Sequence, residues 1–116
     1  MTDERAIAEQ AIEQAEHAAE DAAILVATEL MLEHVRPVRK HEAILRIVAA
    51  YVHPLTGKPH SYSSAETLVE TDPMYAEHLA ELRRIGRDRA LAQSKVWAAR
   101  VRAELAVRCL GTEVGA

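Results

Sequence analysis

The chain has 116 residues, a length typical of one domain, and its single cysteine, Cys109, excludes an intrachain disulfide. Hydrophobic residues make up 49% of the sequence, but alanine supplies much of that share, Phe is absent and aromatic residues amount to 3%. Alanine removes little area from water and lets helices approach closely, so the composition favours slender helix pairs over a thick globular core. With no secretory signal and no apolar stretch near the ~20 residues of a membrane span, we expect a cytoplasmic protein that does not cross a membrane.

The net charge of −4 conceals two oppositely charged regions. Residues 1–35 hold nine acidic residues against one arginine, a net charge of −8, whereas residues 83–108 hold eight basic residues against two acids, a net charge of +6. Opposite charges beside apolar stripes set which helices pair and in which orientation. The two ends of the chain are therefore expected to attract each other, within one chain or across a dimer.

The first predicted helix covers residues 3–35, because this stretch lacks Gly and Pro and is rich in strong helix formers. Its apolar residues recur in alternating steps of four and three, which is the spacing of a coiled-coil stripe. Between residues 22 and 32 apolar residues surround most of the helix, so this half is expected to be covered on several sides. The stripe consists of Ala11, Ala15, Ala18, Ala22, Leu25 and Leu32.

Pro37 predicts that this helix ends or kinks here, since proline lacks the amide that would continue the hydrogen-bond ladder. A second helix is predicted over residues 37–53, ending before Pro54. Its expected buried stripe is Val38, Leu45, Val48 and Val52, with His41 at the remaining position and Ile44, Ile47 and Tyr51 beside it.

A loop is predicted at residues 54–62, where two prolines and Gly57 favour turns. Ser63 to Glu66 has the pattern of a capping box and predicts a short helix over residues 63–70. Asp72 as N-cap and Pro73 at the first helical position predict a long last helix over residues 73–110, ended by Gly111. The apolar stripe of this helix is Leu82, Ile85, Ala92, Val96, Ala99, Ala103 and Leu110.

The Gly-Lys-Pro-His-Ser loop, the Ser-Ser-Ala-Glu helix, the Asp-Pro start and the final A-x-x-R-V-R-A-E-L helix lie between residues 54 and 107. Together they resemble a group of short helical phage-encoded proteins of unknown function, often encoded near DNA recombination and replication genes. The resemblance implies a phage or prophage origin, and hence a bacterial cytoplasm as the place of action. It implies no functional residue.

The loop is the most concentrated candidate for ligand binding. A lysine, a histidine and the backbone amides of a capped helix together favour a phosphate or another anion, such as that of a nucleotide. The loop is not a nucleotide P-loop, because Pro59 follows Gly57-Lys58 where Ser or Thr is needed. An ordinary turn followed by a capped helix explains the same residues. The candidates are Lys58, His60, Ser61, Ser63 and Ser64.

Four arginines near the start of the last helix are a second candidate, since one or two helical turns would direct several guanidinium groups towards phosphates or a protein partner. No aromatic residue is interleaved with them to stack on bases. Pairing with the acidic first helix is the alternative explanation. These residues are Arg83, Arg84, Arg87 and Arg89.

Catalytic and metal-binding patterns are not found. The six histidines form no His-x-x-x-His or Glu-x-x-His spacing, and no cofactor motif occurs. Cys109 near a helix end is typical of a packed thiol, and His60 beside Ser61 is too close in sequence for a catalytic relay. We therefore expect no metal, no cofactor and no enzymatic activity.

The sequence as a whole predicts a single all-α domain over residues 1–116: an elongated helical hairpin or bundle with long, coiled-coil-like first and last helices. Since alanine stripes alone cover little area, a homo-oligomer is expected, most simply a dimer. The function expected is helix-mediated binding of a protein partner, and the resemblance implies a role in DNA recombination or replication. The alternatives are capture of a phosphate-bearing nucleotide at the loop and nucleic-acid binding through the arginines.

Overall fold

The computed structural model describes residues 3–115, and the side chains of residues 3–111. The described part consists of a long helix α1 (Glu4–Ala50), a short helix α2 (Tyr62–Glu66), a 3-10 helix (Val69–Thr71) and a second long helix α3 (Pro73–Gly115). An isolated antiparallel bridge joins Val52 and Pro59. The predicted all-α fold with two long helices is thus confirmed.

The chain divides into two compact units where a single domain was expected. Unit 2 is the continuous segment from residue 29 to residue 85, and unit 1 combines residues 3–28 with residues 86–115. Residues 1, 2 and 116 of the predicted domain lie outside the described residues.

Unit 2 has a core built from all of its helical elements. Ile44 and Ile47 of α1 are 1% and 2% exposed, and they pack with residues of α2, the 3-10 helix and α3. Full burial of an isoleucine side chain contributes about 1.5–3 kcal/mol, so these two residues dominate the apolar stabilisation of the unit. The other members of the core are Ala43, Ala65, Val69 and Tyr75, with Val48 and Leu79 at its edge.

Within unit 2, α1 and α3 run antiparallel, as two contacts show. Arg46 of α1 reaches Asp72 at the start of α3, and Nε2 of His78, farther along α3, donates to the carbonyl of Leu32 at 3.2 Å. Lys40 also reaches Glu66 of α2 at 3.1 Å. Polar contacts between different elements therefore surround the apolar core.

The predicted break at Pro37 is wrong, because α1 continues through this residue to Ala50. Proline inside a helix costs about 3 kcal/mol through the lost hydrogen bond and the steric clash. The apolar contacts made by α1 on the C-terminal side of Pro37, above all those of Ile44 and Ile47, offset that cost. The helix also ends earlier than predicted, at Ala50 instead of residue 53.

The buried stripe predicted after Pro37 is wrong except at Val48, which is half-buried and packs against the core. Val38, Leu45 and Val52 are 56%, 50% and 60% exposed, whereas Ile44 and Ile47, expected beside the stripe, form the core. Because the sequence is apolar on both sides of this part of α1, the periodicity alone could not indicate which side faces the rest of the unit.

The capping of α2 and α3 is partly as predicted. Ser61, and not Ser63, caps α2: its side chain accepts a hydrogen bond from the amide of Ser64, and the helix ends at Glu66. A 3-10 helix occupies part of the span predicted as a continuous helix to residue 70. Asp72 caps α3 as predicted, since its carboxylate accepts from the Tyr75 amide at 3.0 Å.

Unit 1 pairs the first part of α1 with the last part of α3, mainly through small side chains. Its buried residues are Ala8, Ala22, Val96 and Ala99, and the predicted stripe residues of both helices within this unit are buried or half-buried. The predicted end of α3 at residue 110 is wrong, since the helix includes Gly111 and extends to Gly115. Glycine lowers helix stability by only about 1 kcal/mol, so it does not by itself end a helix.

Candidate functional site

The loop between α1 and α2 in unit 2 is closed by its own backbone. The His53 amide donates to the carbonyl of Lys58 at 2.7 Å, and the Gly57 amide donates to the carbonyl of His53 at 2.9 Å. Gly57 has φ +68°, a left-handed conformation that glycine adopts at little cost. The turn therefore depends on glycine at this position.

His60 anchors the end of this loop. Its side chain is 7% exposed, and its Nδ1 lies 2.8 Å from the Ser64 hydroxyl. The imidazole rings of His53 and His60 are 5.0 Å apart between centroids. Buried polar groups require such partners, so His60 fixes the loop against the first turn of α2.

The predicted anion site is only partly assembled. A surface depression is lined by Lys58, Ser61 and Ser64, together with His53, Thr56 and Pro59. Ser63 and His60 are not among its lining residues, and Ser61 and Ser64 already make the hydrogen bonds that hold the loop. Three of the five predicted residues thus share one surface, and anion binding there stays a prediction.

The four arginines are divided between the two units. Arg83 and Arg84 belong to unit 2, where the guanidinium of Arg84 pairs with Glu81 one turn away. Arg87 and Arg89 belong to unit 1, where Arg89 donates to the side chain of Gln93 at 2.9 Å. Binding of these arginines to nucleic acid or to a protein partner also stays a prediction. An affinity for nucleic acid that does not change with salt concentration would contradict the first of the two.

Arg46 and Asp72 form an ion pair in unit 2 that the sequence did not indicate. Nε and Nη2 of Arg46 donate to the two carboxylate oxygens of Asp72 at 3.0 and 2.7 Å, a bidentate geometry. The hydrogen bonds from Arg46, aided by the backbone amide of Tyr75, lower the pKa of Asp72, and Asp72 raises the pKa of Arg46. Asp72 was recognisable as a cap, but nothing in the sequence pointed to a partner 26 residues earlier.

A depression of about 370 Å³, lined mainly by charged residues, lies beside this ion pair, between α1 and α3 of unit 2. It gathers several charged groups that make contacts elsewhere in the unit: Arg39 pairs with Glu42, Glu81 pairs with Arg84, and His78 donates to the carbonyl of Leu32. These contacts give the charged residues a structural role.

The exposed side of α1 in unit 2 carries a regular apolar face. Met31, Val38 and Leu45 are spaced seven residues apart and are 62%, 56% and 50% exposed. His34 and His41 lie between them, both exposed, and the His41 Nδ1 is 3.1 Å from the hydroxyl of Tyr62. We call these five residues the heptad face.

Unit 1 has a second apolar surface, which we call the tryptophan groove. It has a volume of about 380 Å³ and is bordered by Gln93 and Arg100. Trp97, at its edge, is 70% exposed. Its apolar lining consists of Ala19, Ala22, Ala23 and Val26 of α1 with Val96 and Trp97 of α3.

Among residues 3–115, no group of three or more His, Cys, Asp or Glu side chains is arranged to hold a metal ion. In the same range no helix combines the length and the apolar character needed to cross a bilayer. Cys109, expected to be packed, is exposed. No family model, curated protein or solved structure matches the chain.

Proposed function

We propose that this chain is a non-enzymatic accessory protein of the phage-encoded type that residues 54–107 resemble. It acts through helix-mediated self-association and through binding of a protein partner, in DNA recombination or replication if the resemblance holds. The observation that carries the partner-binding part is the heptad face of unit 2, on which Met31, Val38 and Leu45 are exposed at regular spacing outside the core.

The spacing of the heptad face is that of a helix that pairs with another helix. Residues repeating every seven positions stay on one side of a coiled-coil partner along several turns. Positions 30, 31, 34, 37, 38, 41 and 45 hold no Asp, Glu, Lys or Arg, so the face is interrupted by no fixed charge. Exposed apolar residues at this spacing are typical of a binding site for a protein helix.

The core of unit 2 explains why this face is open. Ile44 and Ile47 face the core, whereas Val38 and Leu45 lie on another side of α1 and are exposed. A helix that is apolar on two sides is expected to be covered on both. We therefore propose that the partner contributes an amphipathic helix that lies along α1, as in other helix-in-groove complexes.

Affinity capture from the native host, followed by titration calorimetry with the purified partner, tests this function. Val38→Glu places a charge in the middle of the heptad face and is expected to weaken binding at least tenfold, because a charge buried without a partner is costly. Ala80→Glu is the matched control, since Ala80 is also exposed and lies on α3 of the same unit. Recovery of the chain alone, or equal binding by both variants, would contradict the proposal.

Nucleotide binding at the loop is a second candidate, favoured by the shared depression of Lys58, Ser61 and Ser64. A ligand present at 100 times its dissociation constant should stabilise the fold by about 2.7 kcal/mol. Thermal denaturation with a panel of nucleotides measures this effect. The absence of any shift would remove this candidate and leave the heptad face as the site to pursue.

A further inference from the structure

The contact between the two helices of unit 1 uses little apolar surface. Among residues 3–28 and 86–111, three of the four buried residues are alanines, and the largest is Val96. Small folded units rarely gain more than a few kcal/mol from one core, and small helical proteins add oligomerisation or dense packing of large residues. Two helices that meet on alanines are therefore expected to need a further apolar surface.

That further surface is the tryptophan groove. An indole side chain buries about 150–250 Å² when it is enclosed, yet Trp97 is 70% exposed at the edge of the groove. The floor beside it is formed by alanine and valine side chains, which are small enough to admit a large ring. The groove and the indole thus complement each other in shape, although they belong to the same unit.

Charge indicates what covers the groove. The α1 part of unit 1 has seven acidic residues and one arginine, net −6, while the described α3 part to residue 111 has six basic and two acidic residues, net +4. Arg100 borders the groove on α3, and the exposed Glu16 and Glu20 lie within one turn of Ala19 on α1. A second unit 1, rotated about a two-fold axis along the helices, sets each acidic helix against a basic helix.

We propose that unit 1 binds a second copy of this chain through the tryptophan groove. Each copy inserts its Trp97 into the groove of the other, and four helices then enclose one core. This inference specifies the self-association part of the proposed function and does not involve the heptad face.

The test uses the full chain, measured by light scattering after size exclusion and by sedimentation over a range of concentrations. The wild type is expected at twice the monomer mass of 12.8 kDa. Trp97 is the only tryptophan, so its emission should shift to shorter wavelength as concentration rises and the indole leaves water. Trp97→Ala should abolish the dimer.

Ala23→Arg is the decisive variant, because Ala23 lines the groove but is exposed in the monomer, so that the substitution leaves the monomer intact. This variant should raise the dissociation constant of the dimer on the order of 100-fold, which corresponds to about 2.7 kcal/mol of binding free energy. The matched control is Ala27→Arg, an exposed alanine one turn further along α1 that does not line the groove. The control should dimerise as the wild type does.

Two results would overturn the inference, and only one of them would also remove part of the proposed function. A dimer that survives Ala23→Arg and Trp97→Ala would show that self-association uses another surface, so the inference would fail while the proposed function stood. A wild type that is monomeric at all concentrations would remove both the inference and the self-association part of the function. Binding of a partner at the heptad face would remain separately testable.

Discussion

The two units pack their helices in different ways. Unit 2 surrounds two isoleucines with residues from four elements and adds ion pairs and hydrogen bonds between those elements. Unit 1 joins two helices through alanines and leaves its largest side chain, Trp97, mostly in water. Both units are built mainly from the two long helices, yet only unit 2 has a core that includes large side chains, and on our proposal unit 1 is the unit that gains apolar cover from a second copy.

The largest effect on stability is expected in the core of unit 2. Ile44→Ala should lower the free energy of unfolding by about 3 kcal/mol, because it leaves a cavity around a residue that is 1% exposed. Leu45→Ala, the neighbouring residue and 50% exposed, is the matched control and should cost less than about 1 kcal/mol. Urea denaturation followed by circular dichroism measures both, and equal losses would refute this assignment of the core.

The second largest effect on stability is expected at the ion pair of Arg46 with Asp72 at the start of α3. Asp72→Ala removes the cap and leaves Arg46 without its bidentate acceptor, so we expect a loss of about 2–3 kcal/mol at pH 7. Asp72→Asn keeps a capping oxygen and should cost less.

The lowered pKa of Asp72 also predicts a dependence on pH. Its carboxylate stabilises the folded state fully above the ordinary pKa of about 4, and this contribution is lost as the pH falls towards the lowered pKa. The difference in stability between the wild type and Asp72→Asn should therefore shrink on acidification below about pH 4. A difference that stays constant down to pH 2 would contradict the role of the charged pair.

Pro37 offers a smaller change, and one of opposite sign. Pro37→Ala restores the amide that α1 lacks at this point and should stabilise unit 2 by about 2 kcal/mol. Chemical denaturation measures the gain, with Ala49→Pro as a comparison near the end of the same helix, where proline should destabilise. A loss of stability in Pro37→Ala would show that α1 requires the proline.

The sequence predicted the helices better than it predicted their boundaries and partners. The steps of four and three in α1 and α3 identified Ala22, Val96 and Ala99 as buried positions of unit 1, because there the helices are apolar on a narrow side, but they missed the buried Ala8. After Pro37 the same reasoning selected Val38 and Leu45 and missed Ile44 and Ile47, since α1 is apolar on two sides and only tertiary packing decides between them. Pro37 and Gly111 were also predicted to end their helices from local sequence alone, whereas α1 continues through Pro37 and α3 continues through Gly111.

The candidate surfaces show the same limit. Local chemistry identified Asp72 as a cap and the residues around Lys58 as a turn, both from neighbours within a few positions. The partner of Asp72 and the meeting of Ala23 with Trp97 involve residues far apart in sequence, which periodicity does not relate. The exposure of the heptad face became visible only when the core on the other side of α1 was known.

The division of the chain has a consequence for the order in which the molecule is made. Unit 2 is one unbroken stretch, so a ribosome has delivered all of it once residue 85 has emerged. Residues 3–28 are synthesised first, yet their counterpart in the same unit begins at residue 86. During translation residues 3–28 therefore have no intramolecular companion until the part of α3 that follows residue 85 has been made.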